Sequence, residues 1–364
     1  MMKNLLKLLV ETESPSHDKA AVDRVGKIVA EECRKLNAQV EILPNEQTGD
    51  HVLARWGGTG KGGPLLLCHM DTVFPKGTTQ TFTYKEVDGK IHGPGTLDMK
   101  AGIVIALGGI SALLSKGTAV PHPITALFTS DEEIGSFTSR EYIEKLASEA
   151  SIVFVMEGAL MDGSLKTWRK GVGEFRVKVK GRAAHAGGDH KEGRNAIEEM
   201  AHQVIAIQKL TDYEKQTTLN VGIIHGGTVS NVVPEEASIV VDVRVMQPGE
   251  WERLEGEMKK LKPVLDGTSI EVSGELNRPP LPFNEINQAA FKKAAQIAKE
   301  TLGLELKAGG TGGASDGNFV APLGIPVLDG MGAIGEGYHS EREYIFADSL
   351  EERAKLLSVL IENW

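Results

Sequence analysis

The sequence predicts an α/β protein: a mixed, mostly parallel sheet domain with a second, α+β module inserted into it. Three observations predict this. The chain has 364 residues, too many for one ordinary domain. Before residue 171, strand-length apolar runs alternate with helical segments. After it, strands alternate polar and apolar residues, as a sheet with one wet face does.

Taken in order, residues 14–36 carry helix signals. Ser14-Pro15-Ser16 offers a cap, and Val22, Val25, Val29 and Leu36 recur at helical spacing. The runs HVLARW (51–56) and PLLLCH (64–69) are strand-length and bounded by Gly and Pro. Residues 99–116 read as a helix closing at Gly117. The strand ITALFTS (124–130), a helix near 138–147 and the strand SIVFVM (151–156) follow. Beyond Gly171 come a strand (173–180), a helix (194–210), two strands (218–225 and 235–246), a helix (249–261) and a strand (268–274). That β-α-β-β-α-β order is ferredoxin-like. NRPPLPFN (277–284) reads as a linker, 285–302 as a helix, 326–329 as a short strand and 348–362 as a closing helix. The domains expected are therefore 1–171 joined with 281–364, and an insert at 172–280.

Composition narrows the function. With 41% hydrophobic and 25% charged residues a packed core is expected. A net charge of -10 argues against nucleic acid and anionic membranes as partners. Two cysteines, Cys33 and Cys68, make no disulfide framework. The apolar stretch Leu5–Val10 has no small-residue cleavage site after it, and no stretch approaches the ~18 uninterrupted apolar residues of a membrane span. A cytoplasmic location is the expectation. The run Gly57-Gly58-Thr59-Gly60-Lys61-Gly62-Gly63 fails as a phosphate loop, because Gly62 stands where Ser or Thr would hold magnesium. A tight turn between strands is the better reading.

Chemistry collects at the ends of the apolar strands. His69-Met70-Asp71 follows PLLLC, Asp131-Glu132-Glu133 follows ITALFTS, and Glu157 follows SIVFVM. In open α/β sheets the ligand site lies at the carboxyl ends of the strands. Polar residues belong at exposed strand ends anyway, but three such ends loaded with imidazole and carboxylates point to a metal site. Asp71, two positions from His69, is placed to accept the spare N–H of a metal-bound imidazole. Glu132 and Glu133 point to different sides, so one can bind a metal while the other acts as a general base. Asp98, ahead of a helix, is either a cap or a bridging carboxylate. His339 alone reads as a surface histidine.

The ordered motifs carry more. HMD (69–71), GPGTLDMKAG (93–102), SDEEIGS (130–136), MEG (156–158), GRAAHAG (181–187), SNVVP (230–234), VDVRV (241–245), GGASDGNF (312–319) and GYHSEREY (337–344) span nearly the whole chain. Together they resemble the dinuclear-zinc family of aminoacylase, acetylornithine deacetylase, succinyl-diaminopimelate desuccinylase and bacterial glutamate carboxypeptidase, with the last branch nearest. The resemblance implies two zinc ions per subunit, with cobalt or manganese as substitutes. His69, Asp98 and Glu157 would bind one, and His339, the bridging Asp98 and Glu133 the other. Asp71 would orient His69, and Glu132 would activate a water between the metals. Asp98 would precede a cis peptide. His185 would polarise the scissile carbonyl. Asn231 and Arg244 would grip a substrate carboxylate, with Gly312, Gly313 and Ser315 lining the pocket. The insert would serve as lid and dimerisation domain of a homodimer.

The activity so implied is hydrolysis of an amide beside a free carboxylate in a small peptide or N-acyl amino acid, as a carboxypeptidase, deacylase or dipeptidase does. Arg244 also has a plain reading as a strand residue paired to Asp242 or Glu236. A rival class is a serine hydrolase, since Gly313-Ala314-Ser315-Asp316-Gly317 matches G-x-S-x-G and Asp329 and His339 follow in triad order. His339 trails Ser315 by only 24 positions, too few for the elements that normally intervene. A non-catalytic binding protein would be expected to have lost Glu132 or a ligand, and none is missing.

Overall fold

The computed structural model describes residues 2–58, 60–117, 120 and 122–364; Thr59, in the Gly-rich run, lies outside them. The chain forms two compact units. One comprises Met1–Arg169, Leu281–Thr311 and Ser315–Trp364, the other Lys170–Pro280 together with Gly312–Ala314. The grouping of 312–314 with the second unit has no sequence signal.

The first unit is built on a six-stranded mixed sheet. Its order is Gln39–Leu43, His51–Trp56, Ile124–Thr129, Pro64–His69, Ile152–Val155, Val327–Leu328. The first two pairings are antiparallel and the other three parallel. The central strand shows why its sequence is uniformly apolar. Leu66 and Cys68 point into one core and Leu65 and Leu67 into another, so both faces are buried. One core is covered by helices that include Lys19–Lys35, Ala101–Leu114 and Ser349–Asn363, the other by Arg140–Ala147 and the turn at Asp316–Phe319.

Several expectations need correction. The segment Thr96–Leu114, interrupted by Asp98 and Lys100, is long and apolar enough on average to cross a membrane, but 78% of its most apolar window is buried, as in a core helix. Gly109 allows that helix to approach Ser349–Asn363, since a Cβ there would lie 3.1 Å from the Ala354 carbonyl. Strands 51–56 and 64–69 are not neighbours in the sheet; Ile124–Thr129 lies between them. The helix expected over 14–36 starts at Lys19, capped by Asp18, whose side chain accepts the Ala21 N–H. The strand Gln39–Leu43 was not predicted, because its residues are mostly exposed and carry no burial pattern. Nor were Leu165–Arg169 and Ala308–Thr311, a parallel pair whose charged and glycine-rich sequences mimic loops.

The second unit is a four-stranded antiparallel sheet in the order Thr218–Gly226, Glu236–Val245, Gly171–Lys180, Ser269–Arg278. Helices Ala196–Gln208 and Glu250–Lys259 complete the β-α-β-β-α-β sequence. Phe175, Val177, Val179, Ile239, Val241 and Val243 alternate into its core with Met200 and Leu254. A short ladder, Ala184–His185 against Val232–Val233, sits outside that sheet.

Candidate metal centre

The parallel strands position the site. In the sheet, Pro64–His69 lies between Ile124–Thr129 and Ile152–Val155, with His69 opposite Thr129 and Leu67 opposite Val155. The chain leaves these three neighbouring strands at one edge, bringing His69, Glu132, Glu133 and Glu157 together. Asp98 enters from the turn Thr96–Lys100, where a cis peptide joins it to Met99. His339 enters from the loop before Tyr344–Phe346, with φ of 59°. Few non-glycine residues adopt that left-handed geometry, and here it aims the ring at Asp98.

The Asp98 carboxylate stands between the two histidines. Its Oδ1 is 3.1 Å from His69 Nε2 and its Oδ2 3.0 Å from His339 Nε2. Glu157 Oε1 is 3.4 Å from the same His69 nitrogen, and Glu133 Oε2 3.4 Å from the same His339 nitrogen. Ligand atoms of His69, Glu132 and Glu157 lie within 4.8 Å of one another, as do those of His69, Asp98 and Glu133.

Charge explains what such a cluster accepts. Five carboxylates, from Asp71, Asp98, Glu132, Glu133 and Glu157, surround two imidazoles. Burial disfavours charge on His69, but its bonds to Asp71, Asp98 and Glu157 outweigh this and hold its pKa well above the usual value. His339 is raised too, by its bonds to Asp98 and Glu133. Burial and then Asp98 push the Glu133 carboxyl up. Glu133 Oε1 is buried with no hydrogen-bond partner. An orphaned carboxylate oxygen among mixed nitrogen and oxygen donors fits a cation, and this donor set suits zinc.

Asp71 does more than expected. The His69 Nδ1 meets the Asp71 backbone carbonyl at 2.9 Å and its carboxylate only at 3.5 Å. The carboxylate instead accepts the N–H groups of Glu132 and Glu133, each at 3.2 Å, and the Ser16 hydroxyl at 2.7 Å. It thus fixes the turn carrying the two glutamates. Asp316 holds that turn from another side by accepting from Ser136 at 2.5 Å and Thr129 at 3.2 Å. Sequence reasoning took Ser16 for part of a helix cap and missed Asp316, although DEE and SDG each sit in a quoted motif.

The other expected residues fall into two groups. Ser315 is fully buried, and its hydroxyl donates to Asp329 at 2.6 Å and accepts the Gly317 N–H. It forms a capping box with Asn318, not a nucleophile elbow. Asp329 in turn pairs with buried Arg169 at 2.6 Å, and His339 is engaged by Asp98, so no serine triad assembles. The second unit carries His185, Asn231 and Arg244. His185 and Asn231 are exposed. His185 Nδ1 accepts the N–H groups of Gly187 and Gly188, and the Asn231 carbonyl accepts that of Ala186. Arg244 is paired bidentately with Asp242, Nε at 2.8 Å and NH2 at 2.9 Å, with NH1 3.4 Å from the exposed Gly312 carbonyl. Gly313 is exposed beside it. Both thiols are buried, which pushes Cys33 up to about 12 and Cys68 well above its usual value.

Known proteins share this arrangement of sequence and fold. The chain is 30% identical to carboxypeptidase G2 of Pseudomonas sp. (strain RS-16), over 98% of this chain and 87% of that one. It is 27% identical to acetylornithine deacetylase of Klebsiella pneumoniae (strain 342), over 99% and 97%. Its fold matches that of the Bacillus subtilis YXEP protein, a dinuclear metal binding peptidase, with TM-score 0.72 and 19% identity over 99% and 97% of the two chains. The pattern of the peptidase family M20/M25/M40 matches residues 65–363. On that match, and on a relative aligned along almost its whole length, the chain belongs to the peptidase family M20/M25/M40 and is a hydrolase.

Proposed function

We propose that the chain is a dinuclear-zinc carboxypeptidase that releases an amino acid with a free α-carboxylate, C-terminal glutamate foremost. The observation that carries this reading is Asp98, with one carboxylate oxygen turned to each histidine at 3.1 and 3.0 Å. His69, Asp98 and Glu157 would hold one metal, and His339, Asp98 and Glu133 the second. When bound, two divalent cations supply Lewis acidity and lower the pKa of a water.

The residues then divide the work. Glu132, held by Asp71 through its N–H, takes the proton of the attacking water on its carboxylate and gives it to the leaving nitrogen. His185 accepts two backbone N–H bonds at Nδ1, which leaves Nε2 as the nitrogen that carries a ring proton. That N–H is then free to polarise the scissile carbonyl. Arg244 uses its Nε–NH2 edge on Asp242 and would turn its NH1, 3.4 Å from the Gly312 carbonyl, to a carboxylate near Gly312 and Gly313, while Asn231 lies toward the opposite end of the strand Glu236–Val245. The likeness to carboxypeptidase G2 supports the peptidase form. The likeness to acetylornithine deacetylase favours a second reading, an N-acyl-amino-acid deacylase with the same machinery.

The proposal extends to assembly. The second unit would act as lid and join two cytoplasmic copies into a homodimer. Thr218–Gly226 pairs on one side only in its sheet, and Ile223 and Ile224 on it are 49% and 57% exposed. Such an open edge is a template for pairing with another copy.

The test is to measure bound zinc and assay a panel of dipeptides and N-acyl amino acids. Two zinc ions per chain, and peptides cleaved faster than acyl substrates, are expected. Preference for N-acyl amino acids would select the deacylase, and zinc with no turnover on either class would sink both.

A further inference from the structure

The loop at 337–343 grips Asp98 twice. Through its side chain, Asp98 Oδ2 meets His339 at 3.0 Å. Through its backbone, it is held by Glu343, which is fully buried. Glu343 Oε1 accepts the N–H groups of Leu97 at 2.6 Å and Asp98 at 3.0 Å, and Oε2 that of Gly95 at 3.2 Å. The loop is closed on itself, because Gly337 O accepts from Ser340 N at 3.2 Å and Ser340 O from Glu343 N at 3.0 Å. Gly337, at φ 92°, is required for this, since a Cβ there would fall 2.5 Å from the Arg342 carbonyl.

We propose that Glu343 is a positioning residue for the metal pair, one that sets the Asp98 carboxylate and locks the His339 loop to it. This rests on the dinuclear reading above. Three converging N–H donors need an acceptor with two oxygens, and only a carboxylate at this reach supplies one. The consequence is asymmetric. His69 and Glu157 are placed by adjacent strand ends, whereas His339 and Asp98 both depend on the Glu343 contact. Loosening that contact weakens the metal held by His339, Asp98 and Glu133 most. A group that acts only by filling buried donors would have no such preference.

Cobalt(II) titration separates the two roles, followed by visible absorption, with melting of the stripped proteins measured alongside. Wild type should take up two cobalt ions per chain. Glu343→Gln keeps one acceptor oxygen but sets an amide NH2 against a backbone N–H. It should bind the second cobalt about 10–100-fold more weakly. It should also alter the d–d spectrum and lower kcat with KM near the wild-type value. Glu343→Asp keeps the charge and carries the same comparison if the amide variant does not fold. Fewer than two cobalt ions on wild type would overturn the dinuclear reading, and this inference with it. Two on wild type, with an unchanged isotherm and spectrum in the variant and only a lower melting temperature, would overturn the inference alone.

Discussion

Apart from His339, which is exposed, the two units fix their chemical histidines and their partners in opposite ways. In the first, His69, Asp71 and Asp98 are at most 8% exposed, and each is held by several partners. In the second, His185 and Asn231 are exposed and steadied by backbone bonds within one small ladder. The difference bears on how far each role is constrained. A buried cluster of like charges is costly unless something compensates it, so its geometry limits what it can be. An exposed histidine carries no such cost, so its role rests on what happens when it is removed.

The largest expected effect breaks the comparison from the buried side. Glu132→Ala should leave two metals bound and lower kcat by about 10²–10⁴-fold. Its ligand atom also lies within 4.8 Å of those of His69 and Glu157, so metal content is the discriminating readout. Loss of one metal would make Glu132 a ligand; near-normal turnover would remove it as base.

From the exposed side, His185→Ala should lower kcat by about 10²-fold or more, in line with the loss of one donor to a developing oxyanion. Its melting temperature should stay within the noise, because an exposed ring contributes little to packing. A variant with full activity would leave the second unit without a chemical role. Arg244→Ala should lower kcat/KM by about 10–100-fold for substrates with a free α-carboxylate and little for their amides. An equal loss on both would mean that the Asp242 pair is structural.

The same contrast explains what the sequence made legible. Strands buried on both faces read as unbroken apolar runs, so the charged residues that end PLLLCH and SIVFVM stood out. The inserted sheet was equally legible from its alternation. Glu343 was not. It sits among Ser340, Glu341 and Arg342 in a run that reads as surface, and its partners are backbone N–H groups some 245 positions away, which leave no side-chain signal. Ser16 was misplaced for a related reason, since its hydroxyl serves Asp71 rather than the helix that follows. Arg244 was ambiguous because residues two apart on a strand share a face, which suits an ion pair with Asp242 as well as a ligand.

The smallest effect on turnover, none, should accompany a clear effect on stability in the second unit. Glu250 begins the helix Glu250–Lys259 and accepts from Arg253 at 2.9 and 2.7 Å, Thr217 at 2.9 Å and Lys215 at 3.2 Å. The Arg253 bonds, against some cost of burial, bring its pKa down to about 2. A carboxylate with a depressed folded pKa stabilises above its unfolded value of about 4.5, and that stability is lost as pH falls toward 2. Because Arg253 and Lys215 are partly exposed and solvent screens them, Glu250→Gln should cost at most about 3 kcal/mol at pH 7. The gap in melting temperature should shrink below pH 4.5 and close near pH 2, while kcat/KM at pH 7 stays unchanged. A gap that persists undiminished at pH 2.5 would mean that packing, not the charge of Glu250, supplies the difference.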